Sequence, residues 1–304
     1  MYDIVVYLSS LPKIADRDRK VQVLRNFYQG LKQLKINAFL QDKPQVVDAK
    51  VAVILGWLGS KVIGSHLQIR KAVIEQQSML GRKVMSIDSS CFKFADNNSV
   101  FLRYSLDGVF YSTSNYANKN SNADRWDLVR KNLNLTLHPW RKKGNHILVC
   151  LQRDGGWSMK GNDISSWADT TVKQLKKYTD KPIVIRQHPR SQINVNHLLS
   201  YKNVSVSNGK NSLQQDIAGA WASVFYNSSS SVASVLQGVP VFVSDSDCVS
   251  WDVANHALSS INDPVMPSRE QWLYDLSAAH WTDEDSTSGR IYQHFLPHIT
   301  TNRQ

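Results

Sequence analysis

In the N-terminal part of the chain, short unbroken apolar runs alternate with longer stretches whose apolar residues recur every three or four positions. The runs at 3–7, 36–40, 51–55 and 83–87 are short and apolar throughout, as strands buried on both faces are. Between them, 17–35 carries Val21, Leu24, Phe27, Tyr28, Leu31 and Leu34 on one helical face, and 67–79 forms a second helix around Leu67, Arg70 and Ile74. This order predicts a parallel sheet with helices on both faces, whose ligand sits beyond the C-terminal strand ends. Those ends hold Ser9 and Ser10, the stretch Gly56-Trp57-Leu58-Gly59-Ser60, and Asp88-Ser89-Ser90.

The pattern then breaks and restarts. Residues 112–122 are polar and read as an exposed loop, and His138-Pro139-Trp140-Arg141-Lys142-Lys143-Gly144 reads as a basic hinge. Beyond it come strands at 147–151, 183–186, 204–206, 224–226 and 239–243, with helices at 165–178, 213–220 and 229–237. The predicted fold class is α/β: two facing Rossmann-like domains, 1–143 and 144–304, with an interdomain cleft. The last helix is expected to pack back on the first domain.

The densest chemistry lies in the second half. The stretch ASVFYNSSSSVASVLQGVPVFV at 222–243 reads as strand, serine turn, helix and strand, with Gly238 as the helix stop. Ser228–Ser231 fall where the helix begins, so they serve either as a cap alone or as hydroxyl and N–H donors to a phosphate. At 183–190, IVIRQHPR ends a strand with Arg186, His188 and Arg190, which can hold an anion; His188 could also simply pack under Pro189. Arg153 and Gly155, in the loop Gln152-Arg153-Asp154-Gly155-Gly156-Trp157, suit a diphosphate as well as they suit a plain glycine turn. Neither a Rossmann fingerprint nor a Walker sequence is present, and no nucleophile motif competes. Gly56 and Trp57 line a cleft or belong to the core with equal claim.

These motifs resemble those of GT-B nucleotide-sugar glycosyltransferases, and of capsule-type sugar transferases in particular. The matching residues are Arg186, His188 and Pro189, then Ser229, Ser230 and Ser231, then Gly238-Val239-Pro240-Val241. The resemblance covers the last half of the chain well and the first half in outline. It implies donor binding in the C-terminal domain and an acidic base at an N-domain strand end. Asp88 holds that place, followed by Ser89 where the family has Gly; Asp107-Gly108 keeps the Asp-Gly pair and is the second candidate. A nucleotide-sugar is then the substrate, UDP-linked in preference to CMP-linked, with no cofactor and no metal expected. The reaction would move a hexosyl or pentosyl group with inversion.

Composition adds an acceptor hypothesis. The formal charge is +11, with nine Trp and eleven Tyr, which suits a polyanion as partner as well as it suits a generally basic surface. In size, charge and architecture the chain resembles bacteriophage enzymes that glycosylate hydroxymethylated pyrimidines in DNA. Arg125, Trp126, Trp140 and Arg141 are basic-aromatic pairs suited to a phosphate backbone and an extruded base, and a charged hinge explains the second pair equally well. A surface glycan is the alternative acceptor. A non-catalytic nucleotide- or nucleic-acid-binding protein, and a hydrolase or epimerase of nucleotide-sugars, are the other classes the fold admits. No signal sequence or membrane-spanning run is seen, and Cys91, Cys150 and Cys248 suggest neither a disulfide framework nor a metal site, so a cytoplasmic location is expected.

Overall fold

The structure, a computed structural model, describes residues 1–12, 17–58, 63–95 and 100–300. Its elements run β1 (Tyr2–Tyr7), α1 (Arg17–Gln33), β2 (Ala38–Gln41), β3 (Ala49–Leu55), α2 (Ser65–Met79), β4 (Lys83–Ser89) and β5 (Leu102–Leu106). Next come α3 (Asp124–Leu133), β6 (His146–Cys150), α4 (Ile164–Tyr178), β7 (Ile183–Arg186), β8 (Val204–Val206), α5 (Leu213–Ala218) and β9 (Ala220–Phe225). The chain closes with α6 (Ser231–Leu236), β10 (Val241–Val243), α7 (Glu270–Ala278), β11 (His280–Trp281), α8 (Asp283–Thr287) and α9 (Arg290–Thr300).

Two compact units each carry one sheet. The first takes the chain up to Ser90, then 100–126, and returns from Tyr274 onward; the second takes 91–95 and Asp127–Leu273. The division therefore falls inside α3 and α7 rather than at the basic stretch 138–144. That stretch is laced onto the second unit: His138 N–H donates to Leu236 O (2.8 Å) and Arg141 N–H to Gly238 O (2.6 Å). Gly238, with φ +71°, sits so close to Pro139 that a Cβ would lie 2.0 Å from its carbonyl oxygen, so only glycine fits there.

The first sheet has the order β11-β5-β4-β3-β1-β2. Strands β2, β1, β3 and β4 are parallel, as the strand–helix alternation predicts, but β5 runs antiparallel to β4 and β11 antiparallel to β5. Residues of β1 are buried on both faces. Ile4 and Val6 join α1 and α9 through Leu24, Phe27 and Phe295, while Val5 and Tyr7 join α2 through Ile69 and Val73. That two-sided burial is why the strands read as continuous apolar runs. Tyr116, inside the predicted polar loop, is itself buried, and its hydroxyl donates to Val109 O at 2.8 Å.

Helix α1 approaches α8 at Gly30, where a Cβ would lie 2.1 Å from Ser286 O. No side chain can rotate out of that clash, because both parties are backbone. Gly30→Ala is therefore expected to destabilise the protein by roughly 1–3 kcal/mol, read as a lower Tm in scanning calorimetry. An unchanged Tm would mean that the two helices separate without cost.

The second sheet, β10-β9-β6-β7-β8, is parallel throughout. Its core sets Ile147, Val149, Ile185 and Val224 against Ile164, Ala168, Val172 and Leu175 of α4. Asp163 caps α4 by accepting from Ser166 N–H at 2.6 Å. Helices α5 and α6 pack against β9. The connections β6–α4, β8–α5 and β9–α6, with the loop that follows β7, thus start at one edge, the C-terminal one.

Candidate functional site

At that edge of the second unit three loops are hydrogen-bonded together. Gln152, just past β6, and Asn227, just past β9, form a reciprocal pair: Gln152 Nε2 donates to Asn227 Oδ1 (2.9 Å) and Asn227 N–H to Gln152 Oε1 (2.7 Å). Asp154 N–H donates to Ser191 Oγ (2.9 Å), which ties the first loop to the one after β7. Both Gln152 and Asn227 are buried, so the loops share a floor that is polar yet satisfied.

On this floor stands His188, half-buried. Its Nδ1 accepts the Arg190 backbone N–H at 3.1 Å, which leaves Nε2 as the nitrogen that can carry a proton outward. Burial, and then the positive charges of Arg153, Arg190 and Lys93, hold the His188 imidazole below its ordinary pKa. Arg153 and Arg190 are exposed, and neither guanidinium has a carboxylate partner among the described residues. Gly155, with φ +60°, has open space where a Cβ would sit, so its backbone is approachable. Lys93 was not singled out from the sequence; it lies sixty residues before Arg153, and its segment is held to the second unit by Gln214 Nε2 donating to Phe94 O (2.5 Å).

An anion placed among these groups would favour the charged imidazole. Phosphodiesters and esterified diphosphates do not titrate near neutrality, so with such an anion the proton taken up is that of His188, at the Nδ1 that otherwise accepts the Arg190 N–H. The free-state pKa is lowered and the bound-state pKa is raised relative to it. Affinity is therefore expected to increase as pH falls through the bound-state value and to level off below the free-state value, by at most about tenfold per pH unit. Calorimetric titration across pH measures this, and His188→Ala should flatten the curve.

Arg186 is placed otherwise than the strand-end reading has it. Its guanidinium is ion-paired with the buried Asp216 of α5 and donates to the carbonyls of Asn211 (3.1 Å) and Ser212 (3.4 Å). Asp216 also accepts from Ser207 Oγ (2.6 Å) and Asn211 Nδ2 (2.9 Å). Burial works against its charge, but these bonds and Arg186 outweigh it and hold the carboxyl below its usual pKa. Arg186 thus fastens α5 to β7. Arg186→Ala should cost roughly 3 kcal/mol of stability by stranding Asp216, measured by denaturant unfolding. Retained stability with lost nucleotide affinity would return Arg186 to the ligand.

The serine turn also differs from its sequence reading. Helix α6 has six residues, and its first N–H groups are occupied: Ser231, Val232 and Ala233 donate to the carbonyls of Ser228, Ser229 and Ser230 (3.1 Å each). Ser231 is buried, its hydroxyl 2.7 Å from Ser250 Oγ, and faces no solvent. Ser230 makes no side-chain cap. The hydroxyls of Ser229 and Ser230, both half-exposed, have no protein partner among the described residues.

In the first unit, the C-terminal edge gathers Ser10, Gly56, Trp57 and Asp88; Gly59 and Ser60 lie outside the described residues. Arg70 Nε donates to Ser10 O (2.9 Å) and its Nη1 to Trp57 O (3.2 Å). Gly56 has φ +80°, and a Cβ there would lie 2.9 Å from Arg70 Nη1. Burial lowers the Arg70 pKa to about 10, against the attraction of Asp88. Asp88 Oδ2 accepts from Arg103 (2.9 Å) and Oδ1 from Ser89 N–H (2.8 Å). Asp107 belongs elsewhere. Because β5 is antiparallel, its end lies beside the start of β4, where Asp107 accepts from Val84 N–H (3.1 Å) and Lys83 Nζ (2.5 Å). It clamps the opposite edge and does not join Asp88.

The basic-aromatic pairs are spent on the protein itself. Arg125 is bound to Asp285 (2.8 Å) and lies over the Trp281 ring, and Trp126 is buried. Trp140 Nε1 donates to Pro267 O (2.7 Å) with Arg269 over its ring at 3.8 Å. Arg141 Nη1 donates to the carbonyls of Ile217, Ala218 and Ala220, closing the end of α5. Arg125, Trp140 and Arg141 thus each have partners within the protein, and Trp126 is buried.

No family model and no curated protein matches the chain. Among solved structures it is similar to the β-Kdo 2,4 transferase of Thermosulfurimonas dismutans KpsC, at 10% identity and TM-score 0.55, over 91% of this chain and 90% of that one. It is similar too to the β-Kdo 2,7 transferase of the same KpsC, at 13% identity and TM-score 0.55, over 96% and 99%. The likeness gives the fold: two Rossmann-like units of the GT-B kind.

Proposed function

We propose that the protein is an inverting glycosyltransferase whose second unit binds a nucleotide-sugar through its phosphates. The observation that carries this reading is that the loop with Arg153 and Gly155 and the loop with His188 and Arg190 are tied together at the C-terminal edge of the second sheet by Asp154 N–H and Ser191 Oγ. Cations at such a place stabilise the charge that grows on a phosphate leaving group as the anomeric bond breaks. In the first unit Asp88 is the acceptor-side base: it stands at a C-terminal strand end, paired with Arg103, where it can take the proton of an attacking hydroxyl.

The acceptor we favour is a carbohydrate hydroxyl. A hydroxymethylated pyrimidine in DNA drew its support from the +11 charge and from Arg125, Trp126, Trp140 and Arg141, and these four are engaged in packing. The two KpsC structures named above are Kdo transferases, so nucleotide-linked Kdo belongs in the donor panel beside the UDP-sugars. Mass spectrometry of saccharides and of hydroxymethylated DNA, each incubated with protein and the donor panel, tests the proposal. A saccharide heavier by one sugar residue is the expected result. Modified DNA alone would reassign the acceptor. Nucleotide binding with no transfer or donor breakdown would leave a binding protein, and free sugar without acceptor a hydrolase.

A further inference from the structure

Opposite the loops just described, the second sheet has a lysine-rich rim. Parallel register sets Ile147, Ile183 and Val204 side by side, so the chain entering β6, β7 and β8 does so at one level. Lys142 and Lys143 precede β6, Lys181 precedes β7 and Lys202 precedes β8, while α4 delivers Lys176 and Lys177 to the same edge at its C-terminus. Four of the six are exposed and two half-exposed, and none has a carboxylate partner among the described residues. The acids in these segments are Asp180 and Asp263. A helix C-terminus attracts cations and so accounts for Lys176 and Lys177, but the other four lie on no helix end. A shallow concavity of about 380 Å³ opens between Lys176, Lys177, Lys181 and Asn262.

We propose that this rim docks the protein on an anionic lipid bilayer. Charge density is what such a surface reads, and lysines near it act additively. A weak apolar contact must accompany the charge for useful binding, and Tyr178 (44% exposed) and Leu199 (43%) supply it beside Lys177 and Lys202. A tyrosine suits the headgroup level. Nucleic acid fits less well. The rim offers lysine only, since the Arg141 guanidinium is bound to carbonyls, and Trp221, with Lys181 over its ring, donates to Ile261 O. The inference stands apart from the catalytic reading, because it concerns the other edge of the sheet.

Co-sedimentation of the full chain with phosphatidylcholine vesicles, with and without phosphatidylglycerol, tests it. Binding is expected only to the anionic vesicles, and to weaken with salt. Exchanging Lys142, Lys143, Lys177 and Lys202 for glutamate should weaken it roughly hundred- to thousandfold. The same variant should bind nucleotide-sugar as the parent does, showing that it is folded. No sedimentation with anionic vesicles, or equal sedimentation of parent and variant, would overturn the proposal. So would binding of duplex DNA through these lysines without binding of vesicles. Tyr178→Ser with Leu199→Ser gives a second measurement: vesicle affinity falls if the rim touches the bilayer and stays constant if it does not.

Discussion

Exchanging Arg153 and Arg190 together for alanine is expected to weaken nucleotide-sugar binding by roughly 10²- to 10⁴-fold while leaving the protein as stable as before. The magnitude follows from two charge-assisted hydrogen bonds to phosphate, each about 1.5–3 kcal/mol. Stability should hold because both side chains are exposed and neither guanidinium has a carboxylate partner among the described residues. Their removal relieves repulsion around His188, whose pKa should then rise toward its ordinary value, a shift that NMR titration can follow. Isothermal calorimetry with UDP-sugars and nucleotide-linked Kdo reads the affinity. An unchanged affinity in both series would move the donor away from these loops. A large fall in Tm would instead show that the arginines hold the loops together.

The contrast with Arg186 explains what could be read in the sequence and what could not. Local pattern carried the parallel strands, because burial on both faces writes itself into consecutive residues, as in β1 and β6, and it carried α1, α2, α4, α5 and α6, but not α3, α7 or α8. It did not carry β5 and β11, which are a five-residue and a two-residue strand added antiparallel at one edge. Their pairing depends on partners that no local period records. The same limit governs the site. His188 and Arg153 stand at strand ends, and strand ends are legible. Arg186 stands at one too, but its fate is set by Asp216, a residue on another element that happens to be buried beside it. Lys93 reaches the cluster from a segment that follows a strand of the other sheet. Basic-aromatic pairs mislead for a related reason. An arginine beside a tryptophan in sequence has the same composition whether it awaits a nucleobase or, like Arg125 over Trp281, stacks within its own unit.

Asp88→Asn is expected to lower kcat by roughly 10²- to 10⁴-fold, the usual worth of a general base, with little change in donor affinity. The carboxylate is half-buried, and the asparagine keeps its shape but has one oxygen, so it can accept from Ser89 N–H or from Arg103 and not from both; the fold should survive with a modest fall in Tm. What the amide cannot do is accept the proton of the attacking hydroxyl. A role confined to holding Arg103 predicts a different pattern: a lower Tm, with kcat falling only as far as the fold loosens. Asp107→Asn provides the comparison. Asp107 accepts from Lys83 and from the Val84 backbone at the far edge of the sheet, so its replacement should weaken that clamp and spare kcat. Steady-state kinetics on both variants, alongside their Tm values, separates the two carboxylates. Turnover that persists in Asp88→Asn and collapses in Asp107→Asn would place the chemistry at the edge where β4 begins. That outcome would require the acceptor to approach the first sheet from the side its parallel strands start.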